Sequence, residues 1–98
     1  LFRSQKYALH QESGNGMSEK YIRVLREGYL SMDMAQNILV IKTVSGMAMG
    51  VAAALDALKW PEILGCIAGD DTIMCAAKTA DMALGAAEKL RSFVRLNK

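Results

Sequence analysis

The chain has 98 residues, 52% of them hydrophobic, and a formal net charge of +2. That length holds one small domain, and so apolar a composition exceeds what such a domain hides internally, which implies burial between subunits. Residues 31–98 carry seven basic and seven acidic side chains, so this neutral body is not expected to grip phosphates by itself.

No signal peptide is visible, and no apolar stretch reaches the roughly 18–20 residues that span a bilayer. A cytoplasmic protein without a membrane partner is therefore expected. The first residue is Leu1 rather than a methionine, which suggests a piece of a longer protein. Seven methionines and a single proline suit adaptable packing on regular elements.

Along the chain, residues 3–9 read as the end of a strand. The polar stretch His10 to Gly16, with two glycines around Asn15, reads as a linker. Ser18 is placed to cap a short helix running to about Glu27, with Tyr21, Ile22 and Leu25 on its apolar side and Gly28 as its stop. From Tyr29 the period changes to two. Leu30, Met32 and Met34 alternate with Tyr29, Ser31 and Asp33, which predicts a half-buried strand. Ala35-Gln36-Asn37 turns the chain into an apolar strand, Ile38 to Val44, interrupted only by Lys42.

Gly46 opens a helix from Met47 to Leu58, with Val51, Leu55 and Leu58 facing the sheet. Trp60-Pro61 stops it, because a residue before proline leaves helical geometry. Two short apolar runs, Ile63 to Ala68 and Ile73 to Ala77, read as buried strands. Thr79 then caps a last helix whose buried stripe is Ala83, Ala86, Ala87, Leu90 and Val94. The fold class expected is α+β: a two-layer sandwich, ββαββα, with an antiparallel sheet and a short N-terminal linker helix.

Between the last two strands sits Gly69-Asp70-Asp71-Thr72. A glycine that tolerates positive φ and two aspartates that bond local backbone suit a tight turn. Two adjacent anions with flanks buried on both sides also cost free energy unless a cation neutralises them. The second reading is a site for a metal, a guanidinium or an ammonium. A metal fits less well, since a hard cation wants more oxygen ligands than this turn supplies. Asp56 lies near the C-terminal end of its helix, where the dipole disfavours an anion. It shares a face with Met49, Ala52 and Ala53 and is a candidate to join Asp70 and Asp71 in one acidic pocket. Cys66 and Cys75 flank the turn. With His10 the only histidine and distant, buried reduced thiols are expected rather than a disulfide or a zinc site.

The run Ile63-Leu64-Gly65-Cys66-Ile67-Ala68-Gly69-Asp70-Asp71-Thr72-Ile73 resembles the signature of the C-terminal domain of bacterial arginine repressors, which usually reads Leu-Gly-Thr-Ile-Ala-Gly-Asp-Asp-Thr-Ile. Ile41 to Gly46 is similar to that family's strand ending in Thr-x-Pro-Gly, and Leu55-Asp56 falls on its aspartate. Lys6-Tyr7-Ala8-Leu9 looks like the final wing strand of its winged-helix DNA-binding domain. The resemblance covers residues 17–98 as an effector-binding and oligomerisation domain, and leaves 1–16 as a remnant of the DNA-binding wing plus linker.

The resemblance implies trimers stacked into a homo-hexamer, with L-arginine as effector where the trimers meet. It implies no cofactor and no metal, and DNA contact only through the absent winged-helix domain. Asp70 and Asp71 would be the acidic residues of the arginine site, Ala68 would lie beside them, and Asp56 would help hold the ligand's amino-acid end. A planar guanidinium pairs best with carboxylates, in parallel charge-assisted hydrogen bonds. Two positions depart from the family pattern. Ser45 stands for its proline, and Met49 stands for its ligand-contacting glutamine; a thioether donates nothing and accepts weakly.

A transcription regulator of arginine metabolism is the expected function. A paralogue that oligomerises with little arginine response is the alternative. An enzyme is disfavoured, because residues 31–98 lack histidine and show no nucleophile–base pair.

Overall fold

The computed structural model describes residues 14–95, with side chains from residue 19 onward. The expected wing strand at 3–9 and the linker before Gly14 lie outside the described residues. The elements are α1 (Gly14–Gly28), β1 (Tyr29–Ala35), β2 (Ile38–Thr43), α2 (Ala48–Leu58), β3 (Ile63–Ala68), β4 (Thr72–Ala77) and α3 (Ala80–Arg95). This is the expected ββαββα order after a leading helix. All strand pairs are antiparallel, in the spatial order β1-β2-β4-β3.

One face of the sheet carries the core. Leu39, Ile41 and Thr43 on β2 and Ile73, Cys75 and Ala77 on β4 point inward against Val51, Leu55, Ala83, Ala86, Ala87 and Leu90 of the helices. The alanines of α2 and α3 keep these layers close. Thr79 caps α3 as its sequence position predicts: its hydroxyl oxygen accepts the Met82 N–H at 3.1 Å. Trp60 packs edge-on against Phe93, centroids 5.5 Å apart, with the Lys89 ammonium over its ring at 5.2 Å. Lys89 also pairs with Glu62 at 3.0 Å.

Several expectations are corrected. The leading helix begins at Gly14, upstream of Ser18, so Ser18 lies inside it. Once a helical body is anchored, extending it by a turn is far easier than nucleating one. That body is anchored by Leu25, fully buried, and by the Arg26 guanidinium Nε–H, which donates to the Phe93 carbonyl near the end of α3 at 2.8 Å. The helix is therefore part of the domain's packing. Gly28 does not end it through a left-handed residue, since Gly46 is the described glycine with positive φ (82°). A Cβ on Gly28 would meet Val51 Cγ2 at 2.5 Å, so the absent side chain lets β1 start against α2. The second helix starts at Ala48, with Met47 as its N-cap, and ends on Lys59 in the left-handed region.

The first strand contains a bulge between Tyr29 and Ser31. Tyr29 pairs with inward Thr43, and Leu30 is pushed out to 62% exposure; the simple alternation with Leu30 inside fails by that one inserted residue. The runs flanking the aspartate turn are covered on one face only. Among the described residues β3 is an edge strand with Leu64 and Ile67 exposed, and Met74 on β4 is exposed beside Ile67. The second helical layer that would cover this outer face does not exist among the described residues. No described helix is long and apolar enough to cross a membrane.

Candidate functional site

Gly69, Asp70 and Asp71 form the link between β3 and β4, and this link docks by its backbone on the N-terminus of α2. The first N–H groups of a helix lack intrahelical partners, and Met47 supplies no side-chain cap. The Asp70 carbonyl takes that place, accepting the N–H groups of Gly46 and Ala48, each at 3.1 Å. The Asp71 carbonyl accepts the Thr43 N–H at 2.8 Å, and the Gly69 N–H closes the turn on the Thr72 carbonyl at 2.9 Å. Gly69 has no positive φ; the left-handed residue that the site needs is Gly46, which bends the chain between β2 and α2.

With both carbonyls committed inward, both carboxylates stand in solvent. Asp70 and Asp71 are exposed, which corrects the expectation of anions crowded between doubly buried flanks. Ser45 donates its hydroxyl to Asp70 Oδ2 at 3.2 Å. The Thr72 hydroxyl donates to Asp71 Oδ1 at 3.0 Å, and Lys42 Nζ donates to Thr72 Oγ1 at 2.9 Å. The positive end of the α2 dipole lies behind the pair and favours negative charge there. These contacts leave further carboxylate lone pairs directed outward, the arrangement a planar cation can pair with.

Met49 follows Ala48 on α2 and is 71% exposed, so it stands in solvent at the same end of the helix as Asp70. Ala68, half-buried, closes β3 opposite Ile73. Asp56 is elsewhere. Eight residues beyond Ala48 at 1.5 Å each put it about 12 Å further along the helix, so one chain does not bring Asp56 beside Asp70 and Asp71. There it lines a recess of about 350 Å³ with Leu55, Lys59, Trp60 and Cys66. Asp56 is exposed, and the desolvation it does feel raises its pKa, with Lys59 opposing that shift.

Ser45, Lys42 and Thr72 were not among the expected site residues. Two carried a signal: Lys42 is the one charge in an apolar strand, and Ser45 is where the sequence leaves the Thr-x-Pro-Gly pattern. A proline at 45 has no hydroxyl for Asp70. No group of three metal-ligating side chains converges among the described residues.

Residues 25–92 match the family model for the arginine repressor C-terminal domain. The chain is 61% identical over 94 residues to an arginine repressor of Lachnoclostridium phytofermentans, a match covering 96% of this chain and 62% of that protein. It is 53% identical to one from Lachnospira eligens, over 94% of this chain and 61% of the relative. With one from Symbiobacterium thermophilum the identity is 43%, over 92% and 60%. The chain thus spans about three fifths of the length of these curated relatives. With the family model matched across the sheet, α2 and most of α3, and the Gly-Asp-Asp turn docked on α2 at its centre, the chain belongs to the arginine repressor family, through that family's C-terminal domain.

Proposed function

We propose that this domain is the effector-binding and oligomerisation part of a transcription regulator of arginine metabolism, with L-arginine as its ligand. The observation that carries the reading is the division of labour in Asp70: its carbonyl holds α2, and its carboxylate is presented to solvent. Such a carboxylate is pre-positioned, so pairing with a guanidinium requires little further ordering.

Assembly follows from the uncovered sheet face. Cross-strand pairing lines up Ile67 with Met74, Met74 with Val40, and Ile38 with Ala76. Ile67 is 80% and Met74 53% exposed, a contiguous apolar patch of the kind that marks an interface. A homo-hexamer built as a dimer of trimers, with arginine between the trimers, accommodates the separation of Asp56 from Asp70 within one chain, because different subunits can then complete one site. Ligand bound only by the assembled form stabilises it by mass action and sets the spacing of attached DNA-binding domains.

Met49 favours a second reading, an oligomerising regulator with weak arginine response. It stands exposed next to the turn and offers a bound ligand no strong hydrogen bond. Sedimentation of the chain with and without L-arginine, together with calorimetry, separates the two. The first reading expects heat of binding and a shift towards hexamer. A hexamer with no heat and no shift selects the second, and a monomer at micromolar concentration overturns both.

A further inference from the structure

We propose that Cys66 and Cys75 are a reactive dithiol pair that a low-molecular-weight disulfide such as glutathione disulfide converts to an intrachain cross-strand bond. The two residues are direct partners in the β3–β4 register. Directly opposed residues of antiparallel strands have Cα atoms about 4.5–5.5 Å apart, inside the roughly 4.4–6.8 Å that a disulfide spans. Their side chains share the inner face, and the two sulfurs, both free thiols, meet there.

The two thiols differ in access and in acidity. Cys75 is fully buried, whereas Cys66 is half-buried and lines the recess beside Asp56 and Lys59. The Cys75 S–H beside Cys66 stabilises its thiolate and lowers its pKa, against desolvation and the nearby Asp56 charge. The same contact pushes the Cys75 thiol up. Cys66 is therefore the attacking sulfur, and Cys75 the resolving one.

The Cys66 thiolate attacks one sulfur of RS–SR. The S–S bond breaks, and RS⁻ leaves and takes up the proton that Cys66 released. The Cys75 sulfur then attacks Cys66 in the mixed disulfide, expelling a second RS⁻ that leaves with the Cys75 proton. Two protein thiols are oxidised and one RS–SR is reduced to two RSH. The new bond clamps the hairpin whose turn carries Asp70 and Asp71, so the thiol state reaches the effector site, a consequence that rests on the arginine reading above.

The chain has two cysteines, so thiol counting is unambiguous. The folded chain, incubated with glutathione disulfide and measured by intact mass without reductant, should lose two hydrogen atoms and both titratable thiols, with no cross-link between chains in non-reducing denaturing electrophoresis. Dithiothreitol should restore them. Cys75→Ala should stop at a glutathione adduct on Cys66, and Cys66→Ser should leave Cys75 unreacted while folded. A stable adduct on wild-type Cys66 with Cys75 free, a cross-link between chains, or no reaction where a short cysteine peptide reacts would each overturn the proposal. None of these readouts uses arginine, so they stand apart from the test of the effector site.

Discussion

The two ends of α2 handle an aspartate in opposite ways. At the N-terminal end Asp70 belongs to another element, meets the helix through its carbonyl, and keeps its carboxylate in solvent beside the Ser45 hydroxyl. At the C-terminal end Asp56 belongs to the helix itself, faces the negative end of the dipole and is desolvated enough to raise its pKa. The first is an anion in solvent with a hydroxyl donor beside it; the second, though exposed, is an anion that its surroundings partly desolvate. A strained charge is retained at a cost in stability, so Asp56 is the position where a role in binding is expected to trade against folding.

The largest effect that would sharpen this contrast is at the first end. Asp70→Asn keeps the backbone carbonyl that caps α2, so the melting temperature should change little. The loss of a charge-assisted bond of about 1.5–3 kcal/mol should weaken arginine binding roughly ten- to a hundredfold. Calorimetry showing the same dissociation constant would remove Asp70 from the site. A large fall in melting temperature would instead show that its carboxylate, not its carbonyl, supports the helix.

Met49→Gln comes next. The side chain is 71% exposed, so the swap adds an amide to solvent without emptying the core, and both residues suit a helix equally. One restored neutral hydrogen bond of about 0.5–1.5 kcal/mol predicts a gain of roughly two- to tenfold in affinity. Unchanged affinity on titration would mean that position 49 does not reach the ligand.

At the other end, Asp56→Asn should raise the melting temperature of the unliganded chain at neutral pH. A carboxyl whose pKa is raised in the folded state binds more protons folded than unfolded, so it lowers stability as pH rises through that range. The advantage of the variant should therefore be complete above the folded pKa and disappear below the ordinary value of 3.8. Melting curves of both proteins across acid pH check it, and a gap that persists below that value would assign the effect to packing. The same variant should bind arginine less tightly.

Ser45→Ala is the smallest. It removes one exposed hydroxyl from Asp70 and should lower arginine affinity less than threefold, about 0.5 kcal/mol. A larger loss would show that the hydroxyl orients the carboxylate rather than merely touching it.

How much of this was legible beforehand follows from the range of each interaction. The second and third helices were readable from apolar spacing and from Thr79, because capping and amphipathicity act within a few residues. The Gly-Asp-Asp turn was readable for the same reason. The bulge at Leu30 was not, because an extra residue in β1 exists only relative to β2. Gly28 was legible as a stop, but its use is contact with Val51, twenty-three positions away in the chain. Ser45 was visible as a departure from a family pattern, and its partner Asp70 was not.

By itself, then, the sequence determined the element types and their order, the neutral charge of the body, the surplus of apolar surface and the acidic turn, since each depends on composition or short-range periodicity. Tertiary structure alone decided that, among the described residues, β3 is an edge and one sheet face stays open, that Asp70 caps by its backbone the end of α2 opposite to Asp56, and that Cys66 meets Cys75. Those facts depend on strand register and on how the layers dock. A shift of one residue in register would turn every side chain to the opposite face.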